Sequence, residues 1–375
     1  MTPEAPEYSA GLEGIIAGET AVSTVAGGLR YRGYGIEELA QHSTYAEVAF
    51  LILNGELPTE PELAAFQDRL VTERGIPSSI VDAYRGIPPG AAPMDVVRTG
   101  VSMLAHSDPD ADDNTPPANL RKAERLIAKS PTLVAAWARI AKGLHPVDPT
   151  PELDHTSNFL HMLAGTPPDP EHARALDVSL ILYAEHELNA SAFAARVTAS
   201  TLADLHSAVV AGIAALKGPL HGGANERVVE ILEDICTADR AEAWVRSAFA
   251  QRRLIMGFGH RVYKTRDPRA DVLKELCGRL ARNDKHMEWE RIAHIVETIV
   301  KDEKGLPANM DWPAGRLYHI LGLDVSIYTP LFVMSRIAGW AAHITEQHAN
   351  NRLMRPRALY TGPGPRPYLP ITARD

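Results

Sequence analysis

The sequence predicts an all-α protein, and three observations predict it. Apolar residues make up 45% of the 375 and aromatics only 6%, so the core must be aliphatic and rich in alanine. Ala and Leu are strong helix formers, and β-branched runs are scarce. Helix start and stop signals recur along the chain. No alternating apolar–polar pattern runs longer than about five residues, and no internal repeat shows at solenoid periods. The length allows two domains and a large buried core.

Thr44 with Glu47 predicts a capping box, and Asn54-Gly55 an end for the helix in "YAEVAFLIL". Thr59 with Glu62 opens the next helix, with Leu63, Phe66 and Leu70 on one face and Gly75 closing it. The acidic, proline-containing stretch from Ser107 to Pro117 reads as a surface loop, and so does His145 to Asp154. Thr201 and Asp204 open a helix with Leu205, Val209 and Ile213 on one face, stopped by Gly218 and Pro219. A further helix begins almost at once in "ANERVVEILEDI", leaving "GPLHGG" between the two. The tail "NNRLMRPRALYTGPGPRPYLP" carries Arg352, Arg355, Arg357 and Arg366, and its prolines predict an extended basic arm after about Met354.

The formal charge of -9 argues against a nucleic-acid binder or a membrane-surface protein. No apolar run approaches the roughly 20 residues that span a bilayer. The N-terminal "MTPEAPEYSAGLEG" has acidic residues and no apolar h-region, so no signal peptide is expected. The two cysteines, Cys236 and Cys277, read as buried thiols in a reducing cytoplasm.

Against that acidic background, "IMGFGHRVYKTRDPRA" (Ile255 to Ala270) and the two residues before Leu254 form a cationic island. Arg252, Arg253, Arg261, Lys264, Arg266 and Arg269 face one carboxylate in the window, Asp267. The spacing of Gly257 and Gly259 is no dinucleotide fingerprint, and no Walker-type phosphate loop exists. The cations suit phosphates or carboxylates. Asp267 is a candidate N-cap and Pro268 a first helical residue. Arg269 then stands in a first helical turn, against the helix dipole. Within "TPLFVMSRIAGWAAHI", Arg336 has apolar helical neighbours, so its charge requires a buried carboxylate or an anionic ligand. His221 sits near a helix start between Leu220 and two glycines. Such a histidine stays neutral and can donate a hydrogen bond to a developing oxyanion, or it simply completes a tight turn. Asp311 precedes Trp312-Pro313, which predicts an extended loop residue and an N-cap. His186 and Glu187 do not make an H-E-x-x-H zinc motif, because position 190 is alanine.

Together, "GPLHGGANE", "GFGHRVYK" with "DPRA", the Asn309–Asp311 "NMD", "NRLMRPRALY", and the N-terminal "GLEG" and "LRYRGYGIEELA" resemble the citrate synthase family in composition and order. The resemblance runs nearly end to end. It implies an all-α citrate synthase-like fold: a large helical domain of residues 1–221 plus 326–375, with a smaller mobile domain of 222–325 inserted. It implies condensation of acetyl-CoA with oxaloacetate, then hydrolysis of the thioester, with no metal and no permanently bound cofactor. Asp311 would be the base, His221 the hydrogen-bond donor to the thioester oxygen, and His260 the group that polarises the oxaloacetate carbonyl. His186, Arg269, Arg336 and Arg355 would hold oxaloacetate, with Arg355 of the partner subunit completing each site of a homodimer. The backbone of Ile255, Met256, Gly257, Phe258 and Gly259 would line the coenzyme A site. The chain would be of the short, dimeric type.

Three departures from the family pattern stand out: "WPAG" after Asp311, "HELNASA" in place of the commoner "HEFNAST", and a shortened segment before "LRYRGY". The first two adjoin the acyl site and admit a second reading, a 2-methylcitrate synthase using propionyl-CoA. A catalytically silent CoA-binding homologue is the alternative from another class. A zinc hydrolase built from the 15 histidines lacks any ligand-spaced motif.

Overall fold

The computed structural model describes residues 8–374. The first residues of the N-terminal segment, 1–7, which entered the signal-peptide reading, lie outside the described residues. After a small antiparallel sheet of two-residue strands, β1 (Ser23–Thr24), β2 (Arg30–Tyr31) and β3 (Tyr34–Gly35), the chain is helical. The first eight helices are α1 (Ile36–His42), α2 (Tyr45–Asn54), α3 (Glu60–Thr72), α4 (Ser78–Arg85), α5 (Pro93–Leu104), α6 (Pro116–Ile140), α7 (His155–Ala164) and α8 (Pro170–Tyr183). There follow α9 (Ala190–Ala199), α10 (Leu205–Leu216), α11 (Ala224–Ile235), α12 (Ala238–Ala250), α13 (Pro268–Leu280), α14 (Asp284–Lys304), α15 (Asp311–Ile320) and α16 (Tyr328–Ala349). None is long and apolar enough to cross a membrane.

Helix α16 is the hub. It packs on α2, α6, α8, α9 and α10, and buries Leu331, Met334, Ile337 and Trp340. At about 25 cal/mol per Å² of apolar surface, such side chains supply most of the gross stabilisation. Helices α11 to α15 pack largely on one another and meet the rest through α1, α8 and α16. The catalytic residues predicted above fall along this junction.

The caps show where local chemistry yields to neighbours. At α2 the Thr44 side chain accepts from the Glu47 amide. The expected return bond from the Thr44 amide does not form, because Glu47 instead accepts from Ser43 Oγ at 2.6 Å. The Thr59–Glu62 box forms, with the Thr59 amide donating to Glu62 at 2.8 Å. Asp204 alone caps α10, accepting from the Ser207 amide. Pro116 and Pro117 begin α6 rather than ending the acidic loop, since a first-turn proline gives up no hydrogen bond. Helix α16 starts two residues before Pro330, and the irregular C-terminal arm begins at 350, before Met354. Cys277 is buried, but Cys236 is exposed. It follows the last turn of α11, with a positive φ of 69°.

Candidate active site

Asp311 is not in a loop. It is the first residue of α15, and Trp312 is helical too, despite the proline that follows. Packing overrides the local preference: Trp312 is fully buried. The N-cap role expected of Asp311 is filled from elsewhere, because Asn309 Oδ1 accepts the Asp311 amide at 3.0 Å. The Asp311 carboxylate is thereby free to meet Tyr183, whose phenol donates to Oδ1 at 2.7 Å. Burial raises its pKa from 3.8 to about 6, against the lowering effects of the Tyr183 bond, Arg269 and Arg336. A carboxylate so placed is a base poised near neutral pH.

His221 lies in the turn between α10 and α11. Its amide donates to the Gly218 carbonyl at 2.9 Å, and Gly222 bonds the same oxygen. A Cβ on Gly222 would stand 2.3 Å from the Leu216 carbonyl oxygen, so only glycine closes this turn. The helix start that meets the imidazole is α9, not α11. The Ser191 amide, in the first turn of α9, donates to His221 Nε2 at 3.3 Å, with Ser191 Oγ at 2.8 Å. A backbone N–H can only donate, so Nε2 is the lone-pair nitrogen and Nδ1 carries the proton. Burial, then the Arg336 charge, push the pKa down to about 4. His221 is neutral and presents a fixed donor.

His260 shows the same device in another orientation. Its Nδ1 accepts the amides of Val262 at 3.0 Å and Tyr263 at 3.3 Å. The proton therefore sits on Nε2. Burial and Arg269 lower the pKa to about 4. The ring stacks on Tyr263 with centroids 4.7 Å apart, and His186 stands edge-on at 5.2 Å. His186 is buried, reaches Tyr263 Oη through Nε2 at 3.1 Å, and is held neutral by burial and by Arg269. These rings form one cluster.

Two arginines border it. Asp267 caps α13 through the Arg269 amide and grips the Arg269 guanidinium at 2.9 and 3.0 Å. Its second oxygen also accepts the Met310 amide at 3.2 Å, which ties the start of α13 to the residue before the base. Arg336 is 1% exposed. Its Nε donates to the Tyr183 carbonyl at 2.7 Å, while Nη1 is buried with no partner among the described residues. The buried carboxylate that most offsets this burial, Glu185, is bonded to His343 and Ser23 and makes no ion pair with Arg336. The fully buried Arg316, by contrast, pairs with Glu290 at 2.8 Å. Arg336 is thus a buried cation with an N–H donor left unpaired.

The loop from Ile255 to Gly259 runs past the first turn of α15. Phe258 bridges to Ala308, the Gly259 amide bonds the Pro307 carbonyl, and the Asn309 amide bonds the Gly257 carbonyl. Gly257 has φ +89°, and a Cβ there would lie 2.9 Å from Trp312 Cβ. Glycine is required at that close approach. The cationic island is less uniform than its sequence implies. Arg266 pairs with Glu37 and Asp271, and Arg253 lies near Asp234, whereas Arg252, Arg261 and Lys264 make no ion pair among the described residues. Distant carboxylates neutralise two of the six.

The structure therefore brings His186, His221, His260, Arg269, Asp311 and Arg336 to one junction. Arg355 stays apart, exposed on the C-terminal arm. Three polar partners escaped sequence reasoning: Tyr183, Ser191 and Tyr263. Ser191 follows the N-cap Asn189, a local signal, but Tyr183 ends an apolar helix and carries none. Among the described residues no group of three or more His, Cys, Asp or Glu is placed to hold a metal ion.

A helical scaffold holding two neutral histidine donors, a carboxylate of raised pKa and an unpaired buried arginine is the arrangement that an acid–base enzyme for anionic substrates needs. The family model for the citrate synthase C-terminal domain matches residues 11–357. "Citrate synthase 2" of Bacillus subtilis is 44% identical over 97% of this chain and 98% of its own. A 2-methylcitrate synthase of Shewanella oneidensis is 42% identical over the same shares. Among solved structures, the citrate synthase of Pyrobaculum aerophilum superposes with TM-score 0.90 at 40% identity, covering 97% of this chain and 95% of that one. The Thermoplasma acidophilum enzyme, a ternary complex with carboxymethyl coenzyme A and oxaloacetate, gives 0.93 at 33% identity, covering 98% and 100%. The chain belongs to the citrate synthase family. It is an acyl-CoA-dependent acyltransferase of the kind whose acyl group becomes an alkyl group on transfer.

Proposed function

We propose that the protein condenses acetyl-CoA with oxaloacetate and hydrolyses the resulting citryl-CoA to citrate and coenzyme A. The observation that carries this is the complementary protonation of three groups: two neutral imidazoles that each keep one N–H donor, and a carboxylate of raised pKa. A weak carbon acid needs base and electrophile together. Asp311 removes a proton from the acetyl methyl as His221 Nδ1–H bonds the thioester oxygen. The enol carbon attacks the ketone carbon of oxaloacetate, and His260 Nε2–H polarises the ketone oxygen and gives it a proton. Water then cleaves the thioester. Arg336, Arg269 and His186 hold the oxaloacetate carboxylates.

Residues 222–325 form the smaller domain of this reading and close over the substrates, excluding water until condensation is done. The backbone from Ile255 to Gly259 receives coenzyme A, supported by its bonds to the segment that leads into α15 and Asp311. The C-terminal arm crosses to a second copy, so that Arg355 of the partner subunit reaches the oxaloacetate. Its support is the arm itself: Leu359, Tyr360 and Tyr368 are 72%, 75% and 81% exposed on the single chain. The free thiols fit a cytoplasmic setting.

The reading requires release of coenzyme A thiol only when acetyl-CoA and oxaloacetate are both present. Thiol release at the same rate without oxaloacetate identifies a thioesterase instead, and no release under any condition identifies a silent homologue. Propionyl-CoA is the discriminating acyl donor. Phe332 lies 4.2 Å from Tyr183 and 6.3 Å from His221, ring centre to ring centre, and in this reading it narrows the acyl site towards the smaller group. kcat/KM is accordingly higher for acetyl-CoA than for propionyl-CoA.

A further inference from the structure

A cavity of about 430 Å³ lies away from the catalytic junction, bounded by α3, α7, α8 and the loop before α7. Leu70, Val71, Leu153 and Ala173 give it apolar walls. Its carboxylates are mostly engaged. Asp154 caps α7 through Ser157, and Asp177 accepts from Thr156, the Tyr45 amide and Arg174. Glu152 accepts from Thr150. Arg174 is spent on Asp177 and on the carbonyls of Ala40 and Ser43.

Two lining groups are left over. Arg74 is 4% exposed, gives one bond from Nη1 to the Thr150 carbonyl, and keeps Nε buried without a partner; it forms no ion pair among the described residues. His155 is 6% exposed, and its Nε2 is likewise buried and unpartnered. Asp154, held by Ser157, lies near enough to offset part of this burial but makes no ion pair with Arg74. A buried guanidinium so poorly paired is costly, and each unmet donor adds to the cost. The volume suits a small molecule.

We propose that this cavity binds a small organic oxyanion, a carboxylate or phosphoryl group on a short apolar body, with the head on Arg74 and His155 and the body against Leu70, Val71, Leu153 and Ala173. The site is distinct from the catalytic cleft, although the two share α8: Pro170, Ala173 and Asp177 line the cavity, and Tyr183 at the far end holds Asp311.

Isothermal titration calorimetry with n-valerate and with butyl phosphate tests the site, with butylammonium as the control of opposite charge. Saturable binding of at least one anion is expected, and which of the two binds identifies the head group. Arg74→Gln weakens that binding by about tenfold or more, the loss of one charged hydrogen bond. Val71→Trp fills the cavity from a partly exposed position and abolishes binding, and this variant decides if Arg74→Gln fails to fold. Arg336→Lys, altered in the other cleft, binds as wild type. The proposal is overturned if neither anion binds saturably, if butylammonium binds equally well, or if Val71→Trp leaves binding unchanged.

Discussion

Tyr183 and Asp311 are 128 residues apart in sequence and share a 2.7 Å hydrogen bond. The bond opposes the burial that raises the Asp311 pKa to about 6. Burial and the Asp311 charge, in turn, push the Tyr183 phenol well above its ordinary range, so it stays a donor at any working pH. Tyr183 thus tunes the base without titrating.

Tyr183→Phe removes the donor and keeps the ring. The Asp311 pKa then rises further, and the acidic limb of the kcat/KM profile moves to higher pH. Well above that limb the variant approaches the wild type. A profile measured from pH 5 to 9 checks this, and an unmoved acidic limb would assign that limb to another group.

Asp311→Asn separates chemistry from stability. A carboxyl whose folded pKa is raised from 3.8 to about 6 favours the protonated fold. Its stabilising contribution is complete below the unfolded value and lost as pH rises through the folded one. At pH 7 the ionised side chain is a liability, so the neutral amide leaves Tm equal or higher. The same variant loses roughly 10²- to 10⁴-fold in kcat, the range for a positioned general base. A lower Tm with normal turnover would make Asp311 structural only.

Arg336→Lys keeps the charge but loses the planar fork that grips a carboxylate at two points. KM for oxaloacetate rises about tenfold or more, and KM for the acyl-CoA much less. Steady-state kinetics with each substrate varied in turn shows the split. Equal changes in both would indicate general disruption of α16.

A mixing experiment tests the composite site. Arg355→Ala and His260→Ala chains, each nearly inactive alone, are unfolded together and refolded as hybrids. If Arg355 acts across the interface, each hybrid dimer has one site with both defects and one with neither. About half the dimers are hybrids, so roughly a quarter of wild-type activity returns by statistical counting. Hybrids confirmed by native mass spectrometry but inactive would place Arg355 in its own subunit's site.

Much of the site was legible one residue at a time. Asp267, Pro268 and Arg269 occupy the predicted cap, first helical and first-turn positions, because capping involves atoms two or three residues apart. Arg336 was legible as a misplaced charge, since its helical neighbours are all apolar. His221 was legible as a neutral donor, though for the wrong helix: α9 supplies the N–H that fixes its tautomer, from 30 residues upstream. Asp311 was misread as a loop residue because the proline two positions on speaks for extended backbone. The burial of Trp312 against Gly257 outweighs that preference.

What the sequence by itself determined was the kind of element and most of its ends. α11 runs from Ala224 to Ile235, the span its punctuation predicts, because helix propensity, periodicity and capping act within a few residues. The family motifs likewise pointed to the side chains proposed to react. Only the tertiary structure decided the state of each one. Whether a buried arginine meets a carboxylate, as Arg316 meets Glu290, or lacks one, as Arg336 does, depends on which helices pack together. The neutrality of His221 and His260 and the raised pKa of Asp311 come from desolvation and from partners distant in the chain. Those are distances through space, and no local rule of sequence encodes them.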